Sequence, residues 1–274
     1  MLYENTALRR AVLPLMRRLN FNFTVRHHWV PDARVYLNFF QHKNYWYQGK
    51  ARERETMETF AKLVPKGATV IEVGAHIGYI SRYFASLVGP DGRLVVFEPG
   101  PNNLPYLARN LAGLANVEWI GKAVSDSVGT VSFYCDNLTG QNNSLISDFK
   151  IADINAARSG IALERSEVKV EATTLDVFCA ERAIVPDFIK IDVEGAELMV
   201  VRGMKSVLRS AKPRLMVEMT EEDEGQALLE RELADSGYIF LSERLEPSPD
   251  GRAVFGNNFC LHADDPLLGE IRRG

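Results

Sequence analysis

The sequence predicts an α/β fold built on a doubly wound, mostly parallel sheet. Short apolar runs recur along the chain, segments of helix length separate them, and acidic residues stand at the ends of several runs. Continuous apolar runs are typical of parallel strands that helices cover on both faces. The predicted strands cover residues 70–73, 94–97, 117–120, 188–191, 215–217 and 238–241. Their spacing indicates one doubly wound domain, and 46% hydrophobic residues suffice for its core.

The first predicted strand runs into a turn that contains Gly74 and Gly78. A sharp turn from strand to helix leaves backbone N–H groups beside a ligand, and a Cβ at either glycine would block close approach. We therefore expect both glycines to contact a cofactor. The Gly-x-x-x-Gly spacing is an incomplete version of the Gly-x-Gly-x-x-Gly fingerprint of dinucleotide-binding folds.

Two acids near the first two strand ends indicate the kind of cofactor. Glu98 stands 24 residues after Gly74 and is placed to accept hydrogen bonds from ribose hydroxyls. Glu72, one residue inside the first strand, suits the ammonium of a methionine moiety better than a diphosphate. The turn therefore predicts S-adenosylmethionine rather than NAD, and a nicotinamide-dependent oxidoreductase is the rival interpretation.

Acidic residues also follow two later strands. Because the carboxyl ends of parallel strands meet at one edge of a sheet, Glu72, Glu98, Asp192 and Glu218 should converge there. That edge is where doubly wound sheets bind their ligands. The sequence thus places the functional site at the carboxyl edge of the sheet.

Four motifs resemble those of the FkbM family of S-adenosylmethionine-dependent methyltransferases. They are IEVGAHIGY at 71–79, FEPGPNN at 97–103, AVSD at 123–126 and IKIDVEGAE at 189–197. The resemblance covers roughly residues 50–262 and implies a class I, Rossmann-like methyltransferase with a seven-stranded sheet, a small N-terminal extension and S-adenosylmethionine as cofactor. His76 departs from the asparagine that is common in the family.

The resemblance assigns roles to several of these positions. It makes Glu98 the ribose-binding acid and places Ser125 and Asp126 beside the adenine amino group, although Ser-Asp is also ordinary turn chemistry. Asn103, with Asn102, opens the helix after Glu98, where helix capping is the favoured duty. The predicted cofactor-binding residues are Glu72, Gly74, Ala75, His76, Gly78, Tyr79, Glu98, Pro99, Asn103, Ser125, Asp126 and Asp192.

Methyl transfer to a hydroxyl needs a group that takes the acceptor's proton, and Asp192 is the favoured base. Glu194 is a second candidate, although an acid at the start of a helix also interacts favourably with the helix dipole. Glu218 is a third, because it could share Mg²⁺ with Asp192. We do not favour the cation, since no His or Cys cluster with ligand spacing supports it. Lys190 should form a structural salt bridge.

The resemblance suggests a sugar hydroxyl of a glycan, glycolipid or glycosylated metabolite as the methyl acceptor. A hydroxyl or carboxylate of a polyketide or another small natural product is the alternative, and a non-catalytic cofactor-binding scaffold is the rival from another class. Aromatic residues before the first strand and a long polar segment from residue 135 to 165 are the candidate acceptor regions, the second as a lid. Their candidate contacts are His42, Tyr45, Trp46, Asn142, Asn143 and Ser144.

We divide the chain into a basic, aromatic-rich extension (1–48), a methyltransferase domain (49–265) and a tail (266–274). Residues 1–50 carry eight Lys or Arg and two acids, a charge of +6, against −10 for the remainder, which has 24 and 34. Apolar residues recur there at helical spacing between arginines, with Pro14 weakening the helix. They are Leu8, Val12, Leu15, Met16 and Leu19.

This basic segment has three interpretations. It could lie on an anionic membrane surface, or it could pack on its own domain or on a second subunit, which we prefer. Nucleic acid is not expected, because no binding module accompanies the arginines. Three cysteines without zinc spacing and the lack of a membrane-spanning apolar run predict a cytoplasmic protein, with peripheral contact at the inner membrane face as the variant.

Overall fold

The computed structural model describes residues 6–148, 153–154, 156–157, 161–219 and 224–271. The elements before the central sheet are α1 (Thr6–Arg18), β1 (Asn22–Arg26), β2 (Arg34–Asn38), α2 (Lys43–Tyr47), a 3₁₀ turn (Gly49–Ala51) and α3 (Arg54–Leu63). Alternating strands and helices follow: β3 (Thr69–Val73), α4 (Tyr79–Val88), β4 (Arg93–Phe97), α5 (Leu104–Leu111) and β5 (Val117–Ile120).

The middle of the chain contains β6 (Ala123–Val124), β7 (Gly129–Asp136), β8 (Arg165–Thr173), α6 (Leu175–Arg182) and β9 (Phe188–Ile191). The last third contains α7 (Glu197–Arg202), α8 (Lys205–Ser210), β10 (Arg214–Met219), α9 (Glu224–Asp235), β11 (Tyr238–Leu241), a 3₁₀ turn (Pro249–Gly251), β12 (Gly256–His262) and α10 (Pro266–Ile271). No helix in these described ranges is long and apolar enough to cross a membrane.

The central sheet has seven strands in the order β11-β12-β10-β9-β3-β4-β5. The pairs β10-β9, β9-β3, β3-β4 and β4-β5 are parallel, whereas β12 runs antiparallel to both of its neighbours. The chain extends from β3 toward β5 on one side and returns on the other side through β9, so the strand order reverses between β3 and β9. This doubly wound, mostly parallel sheet confirms the predicted fold class.

Six of the seven strands lie where the apolar runs predicted them, with ends that shift by two residues at most. The seventh, β12, was implied only by the family resemblance and was not located. It begins with the polar residues Gly256, Asn257 and Asn258, and only its second half is an apolar run. In the sheet, β12 lies between β10 and β11 and runs antiparallel to both. A repeating pattern of strands and helices does not predict a strand at this place.

Helices cover both faces of the sheet, which explains why its strands read as continuous apolar runs. Val70, Val96 and Phe84 belong to the core on one face. Ile71 and Val95 alternate with them and belong to the core on the other face. The buried thiols of Cys179 and Cys260 also lie in this second core.

The segments on either side of the predicted domain pack against it. Val35 and Leu37 of β2 are fully buried in the first core, and Asn110 of α5 hydrogen bonds to both backbone groups of Tyr36. Leu268 of α10 joins the same core. The boundaries at 48 and 265 stay predictions, but the described residues on both sides of them share one hydrophobic core.

A smaller sheet of order β6-β8-β7 stands beside the carboxyl ends of the central strands. The polar segment predicted from Cys135 to Arg165 therefore starts inside β7 and ends where β8 begins. Between them, residues 137–148 form an ordered loop whose turn is held by Asp136. Its Oδ1 accepts hydrogen bonds from the N–H groups of Leu138 and Thr139, both at 2.6 Å, and its Oδ2 accepts from Asn142.

Candidate active site

A cavity of about 690 Å³ opens at the carboxyl ends of β3, β4, β9 and β10. Two sets of residues face each other across it. The first, which we call the rim, comprises the strand-end residues Glu72, Gly74, Glu98, Lys190, Asp192 and Glu218. The second, which we call the roof, comes from α1, the α2 region and the loop at 137–145 and comprises Val12, Leu13, Met16, Phe40, Tyr45, Trp46 and Leu138. The predicted convergence of four acids on one edge is confirmed.

The Gly74 turn lies where the strand order reverses, between the ends of β3 and β9. Gly74 has a φ of +82°, and a Cβ on it would lie 1.7 Å from the backbone oxygen of Asp192. The glycine is therefore required for the approach of two protein segments. The N–H groups of Gly74 and Ala75 both bond to the Phe97 oxygen, at 3.0 and 3.2 Å. Our expectation that the turn leaves unpaired N–H groups for a ligand was wrong at these residues.

Glu98 is buried and holds three protein hydrogen bonds. Its Oε2 accepts from the His76 N–H at 2.8 Å, and its Oε1 accepts from the Gly100 N–H and the Asn103 side chain. A carboxylate has about four acceptor positions, so roughly one remains on Oε2. Burial raises the pKa of Glu98 to about 7, although these hydrogen bonds oppose the shift.

The structure corrects the capping role favoured for Asn103 and its neighbour. Asn103 occupies the N-cap position of α5 but makes no side-chain capping bond. Its side-chain amide donates instead to Glu98 and to the Gly140 oxygen, so it ties the rim to the loop at 137–145. Asn102 accepts a hydrogen bond from the Asn143 amide, also in that loop, at 2.7 Å. Both asparagines therefore hold the loop over the cavity.

Lys190 is the buried cation of the rim. Its ammonium donates to the Gly74 oxygen and to Asp192 Oδ2, each at 3.0 Å, and lies 3.8 Å from Glu72 Oε1. The predicted structural salt bridge is confirmed. Glu72 Oε2 accepts from Ser81, but its Oε1 is buried beside the cavity with no hydrogen-bond partner. Burial raises the pKa of Glu72 to about 7.

Three carboxyl groups cluster at the carboxyl ends of β9 and β10. Oxygens of Asp192, Glu194 and Glu218 all lie within 4.8 Å of one another. Burial favours the neutral form of each, but the Lys190 ammonium and a hydrogen bond from Glu218 outweigh it at Asp192 and lower its pKa. Burial and the Asp192 charge raise the pKa values of Glu194 and Glu218 well above the usual range. Asp192 is therefore the ionised member of the cluster.

His76 joins the rim to the roof. Its Nδ1 lies 2.9 Å from the Tyr45 hydroxyl and its Nε2 lies 3.1 Å from the Thr139 oxygen. A carbonyl only accepts, so Nε2 carries the hydrogen and Nδ1 accepts from Tyr45. Burial lowers the pKa of His76 to about 4, which keeps the ring neutral. Its φ of +51° is one that histidine and asparagine tolerate better than most residues.

Several predicted contact residues do line the cavity. They are Glu72, Gly74, Ala75, His76, Glu98, Pro99, Asp192, Glu194 and Glu218 on one side, and Tyr45, Trp46, Asn142 and Asn143 on the other. Asn143 is buried. Its side-chain oxygen accepts a hydrogen bond from the Asp136 N–H, and its side-chain amide donates one to Asn102. The rim motifs and four of the six proposed acceptor contacts thus meet at one cavity.

Four predicted cofactor contacts besides Asn103 lie outside the cavity wall. Gly78 allows α5 to approach, since a Cβ there would lie 2.9 Å from Leu107. Tyr79 stacks on His27 with ring centres 4.1 Å apart. Ser125 is buried, and Asp126 is exposed to solvent. Beside them, Lys122, Ala123 and Val124 form the wall instead.

Two of the proposed acceptor contacts are likewise structural. His42 is buried, its Nδ1 accepts from the Asn38 N–H, and burial lowers its pKa to about 2. Ser144 donates to the Glu194 oxygen at 2.6 Å and does not line the cavity. These interactions remove His42 and Ser144 from the set of side chains that can reach an acceptor.

The sequence interpretation missed most of the roof. Val12 and Met16 were noted only as an amphipathic pattern, and Leu13, Phe40 and Leu138 had no assigned role, yet all five line the cavity. Apolar side chains carry no chemical motif, so no signal marked them. One signal was available for the loop, because Asp136 followed by polar residues is typical of the turn that it holds.

The profile of the Methyltransferase FkbM domain matches residues 72–240, more than half of the chain. The chain belongs to the FkbM methyltransferase family. It is 28% identical over 208 residues to Methyltransferase sdnD of Sordaria araneosa, covering 68% of this chain and 80% of that protein. It is 26% identical over 198 residues to Methyltransferase 1 of Beauveria bassiana (strain ARSEF 2860), covering 68% and 78%. This chain is therefore an S-adenosylmethionine-dependent methyltransferase, and S-adenosylmethionine is its cofactor.

Two solved structures that are similar to this chain have low sequence identity to it. The FkbM methyltransferase from Methylobacillus flagellatus KT is 13% identical, with a TM-score of 0.42 over 78% of this chain and 60% of that chain. A fibrillarin pre-rRNA processing protein from Methanococcus jannaschii is 11% identical, with a TM-score of 0.45 over 88% and 82%.

Proposed function

We propose that this FkbM methyltransferase transfers the methyl group to a hydroxyl oxygen of a sugar in a glycosylated metabolite, glycan or glycolipid. The observation that carries the proposal is the contrast between the two sides of the cavity. The rim presents one carboxylate with a lowered pKa, Asp192, among acids whose pKa values burial raises, whereas the roof presents apolar and aromatic side chains. This arrangement suits a polar group that reacts at the rim and a less polar group that packs beneath the roof.

The rim has the chemistry that S-adenosylmethionine requires, since two of its acids keep acceptor positions beside the cavity. Glu72 Oε1 is the unpartnered buried oxygen, and a ligand ammonium would supply the missing donor. Glu98 Oε2 has room for one hydroxyl donor, in agreement with a ribose-binding role. Bound at these residues, the cofactor supplies the electrophilic methyl group. We assign Glu72 to its ammonium and Glu98 to its ribose.

Asp192 is the base that we assign to the acceptor hydroxyl. Its carboxylate is held by Lys190 at 3.0 Å and is ionised, so it can take the proton that the hydroxyl loses as its oxygen becomes bonded to the methyl carbon. Glu218 and Glu194 have raised pKa values because of burial and the nearby Asp192 charge, and can donate hydrogen bonds to other acceptor oxygens. A sugar presents several hydroxyls that could use such donors.

A hydroxyl on a polyketide or another apolar natural product is the second candidate. The chemistry of the roof favours it, because Leu13, Met16, Phe40 and Leu138 give the cavity an apolar side. The two candidates differ in which part of the molecule reaches Asp192. In the first, the sugar occupies the rim and the apolar group lies under the roof, whereas in the second the apolar group itself carries the hydroxyl.

Methyl transfer from ¹³C-methyl-labelled cofactor to matched molecules separates these candidates. The panel contains glycosides with apolar aglycones, the free aglycones and the free sugars, with Asp192→Asn as the control enzyme, and NMR locates the labelled methyl. Label on a sugar oxygen supports the proposal, and label on the aglycone supports the second candidate. Label on nitrogen or carbon contradicts both. Binding of S-adenosylhomocysteine without turnover of any cell-extract component would favour a scaffold without catalysis.

A divalent cation is the remaining option for the acceptor side. Asp192, Glu194 and Glu218 offer carboxylate oxygens, which are the ligands that Mg²⁺ prefers, so the donor set fits. Lys190 already neutralises one Asp192 oxygen, which argues against the need for a second cation. Full turnover after exhaustive chelation would exclude the cation, and recovery of lost turnover by Mg²⁺ alone would establish it.

We propose a cytoplasmic location, because Cys135, Cys179 and Cys260 are buried free thiols in the described structure. Peripheral contact with the inner face of a membrane and assembly into a homo-oligomer are further options. Both depend on surfaces outside the cavity, of which the first residues of the chain are the most distinctive.

A further inference from the structure

The described side chains from Val12 to Leu19 have apolar residues on two sides, of which one packs against the protein and the other is exposed. Leu13 is 1% exposed and packs with Phe40 and Leu138, and Met16 contacts the same small cluster. This packing agrees with our preferred interpretation, in which the segment covers its own domain. It accounts, however, for only part of the apolar residues that recur at helical spacing.

The uncovered side forms an exposed apolar patch. Leu15 is 58% exposed, Leu19 is 56% exposed and Phe21, just after the helix, is 52% exposed. Isolated exposed apolar residues are normal, but three large ones within seven positions require an explanation. We call Leu15, Leu19 and Phe21 the outer patch.

The outer patch is continuous with the cavity wall through stacked aromatic rings. The Phe21 ring stacks on Phe39 at 4.9 Å, and Phe39 stacks on Trp46 at 5.0 Å. Phe39 and Trp46 both line the cavity, as do Val12 and Met16 of α1. One apolar surface therefore extends from the outside of the molecule to the acceptor side of the cavity.

Exposed arginines accompany the outer patch along the sequence. Arg17 and Arg18, next to Leu15 and Leu19 in sequence, are exposed, as is Arg26 of the adjacent strand β1. Residues 1–50 carry +6 in a chain whose remainder carries −10. Exposed leucine, phenylalanine and arginine side chains on a short helix suit an interface where acyl chains and anionic headgroups meet. A second copy of this chain would bring the same positive charges together, which disfavours self-association through the patch.

We propose that the outer patch and its arginines dock on an anionic lipid bilayer surface. The helix then lies between the bilayer and the cavity, with Leu15 and Leu19 in the headgroup region and Leu13 and Met16 over the acceptor side. This inference does not depend on the identity of the acceptor. It adds a location at which an apolar or lipid-borne acceptor reaches the cavity from the membrane side.

Co-sedimentation of the full chain with vesicles tests the proposal directly. Vesicles of phosphatidylcholine alone are compared with vesicles that contain equal amounts of phosphatidylcholine and phosphatidylglycerol. We expect binding to the anionic vesicles, weakening as salt rises, and little binding to the neutral ones. The double variant Leu15→Ser/Leu19→Ser should bind about 10-fold more weakly, because each leucine loses apolar burial in the headgroup region.

Matched controls distinguish binding through the outer patch from non-specific adsorption to the vesicles. Val185→Ser removes an apolar residue that is even more exposed, at 68%, from the turn before β9 and should leave vesicle binding unchanged. Arg17→Gln/Arg18→Gln should lose affinity for anionic vesicles only. Unchanged S-adenosylhomocysteine affinity and melting temperature verify that each variant is folded.

Three results would overturn the proposal. The first is absence of binding to anionic vesicles, and the second is equal binding by the leucine variant and the unmodified chain. The third is a dimer, detected by sedimentation velocity, that the leucine variant dissociates. The third result would assign the outer patch to a second copy of this chain.

Discussion

The rim and the roof enclose the same cavity but are built by opposite physical means. Rim side chains stand at the ends of buried parallel strands and are fixed by hydrogen bonds, for example those from Lys190 to Gly74 and Asp192 at 3.0 Å. Much of the roof is held by apolar contacts. Leu13, Phe40 and Leu138 share a small cluster outside the two main cores, whereas Tyr45 packs in the first core. The rim is therefore suited to fixing reacting groups, and the roof is suited to adapting to an acceptor.

The same contrast governs charge. On the rim, the ammonium of Lys190 lies near more than one acid, and it favours ionisation most at the acid that it contacts directly. Lys190 lies 3.0 Å from Asp192 Oδ2 but 3.8 Å from Glu72 Oε1, and only Asp192 has a lowered pKa, because the lysine offsets its burial. Glu72 remains dominated by burial, and its pKa is raised to about 7. The roof contributes apolar surface that strengthens these interactions by excluding water.

Removing the Asp192 charge tests the chemical role of the rim and should have the largest effect. We expect Asp192→Asn to lower kcat by about 10²–10⁴-fold, the contribution typical of a general base. Affinity for S-adenosylhomocysteine, measured by calorimetry, should change little. Asp126→Asn, at an exposed site outside the cavity, is the matched control and should keep its turnover. Equal losses of turnover and cofactor affinity would instead make Asp192 a cofactor-binding residue.

The rim was largely predictable from the sequence, because strand ends and acids are both visible there. Glu72, Glu98, Asp192 and Glu218 each end or interrupt an apolar run, and parallel topology brings such ends together. What was not predictable is the pairing within the rim. The Asp192 backbone oxygen lies where a Cβ on Gly74 would be, so that glycine serves a contact between two strands far apart in sequence.

The roof was poorly predictable, because its residues act through shape. The amphipathic pattern in α1 was visible, but Leu13, which is 1% exposed, lies outside the predicted stripe, and Leu15 within it is exposed. Tertiary packing decides which apolar side is covered, and the sequence pattern alone does not contain that choice. Asn103 illustrates the same limit. Its side-chain amide makes no capping bond to its own helix and donates instead to Glu98 and to the Gly140 oxygen.

Removing Lys190 tests whether the rim depends on a single buried cation. Lys190→Met should lower the free energy of unfolding by about 3–5 kcal/mol, because breaking a buried pair leaves Asp192 without its counter-charge. Lys212→Met, which breaks the exposed pair with Asp264, is the control and should cost at most about 1 kcal/mol. Urea denaturation measures both. Similar small losses for the two variants would show that the rim carboxyls compensate by taking up protons.

The raised pKa of Glu72 predicts how the free energy of unfolding depends on pH. Below pH 4.5 this carboxyl is neutral in both the folded and the unfolded chain. As pH rises from 4.5 to 7, the unfolded chain ionises while the folded chain retains the proton, so the contribution of Glu72 to stability falls.

Glu72→Gln removes this titration and isolates its effect. The unfolding free energy of the unmodified chain minus that of Glu72→Gln should fall by roughly 3 kcal/mol between pH 4.5 and 7, since one pKa unit corresponds to about 1.4 kcal/mol. Denaturant titrations of both proteins at several pH values give the difference. A difference that stays constant with pH, or rises, would contradict the burial of a proton-bearing Glu72.

His76→Asn tests the junction of rim and roof and should have the smallest effect. The variant keeps the backbone N–H that binds Glu98 and tolerates a φ of +51°, but loses the side-chain bonds to Tyr45 and the Thr139 oxygen. Each bond contributes about 0.5–1.5 kcal/mol, so amide hydrogen exchange in residues 137–145 should accelerate about 5- to 10-fold.

The rim should not respond to this change, because its own hydrogen bonds remain intact. S-Adenosylhomocysteine affinity should therefore stay within about 2-fold of that of the unmodified chain, a difference below 0.5 kcal/mol. His28→Asn, which breaks a bond to Tyr79 away from the cavity, is the matched control for loop exchange. If His76→Asn slowed turnover and weakened cofactor binding together without altering exchange at 137–145, the rim and the roof would have to be treated as one coupled unit.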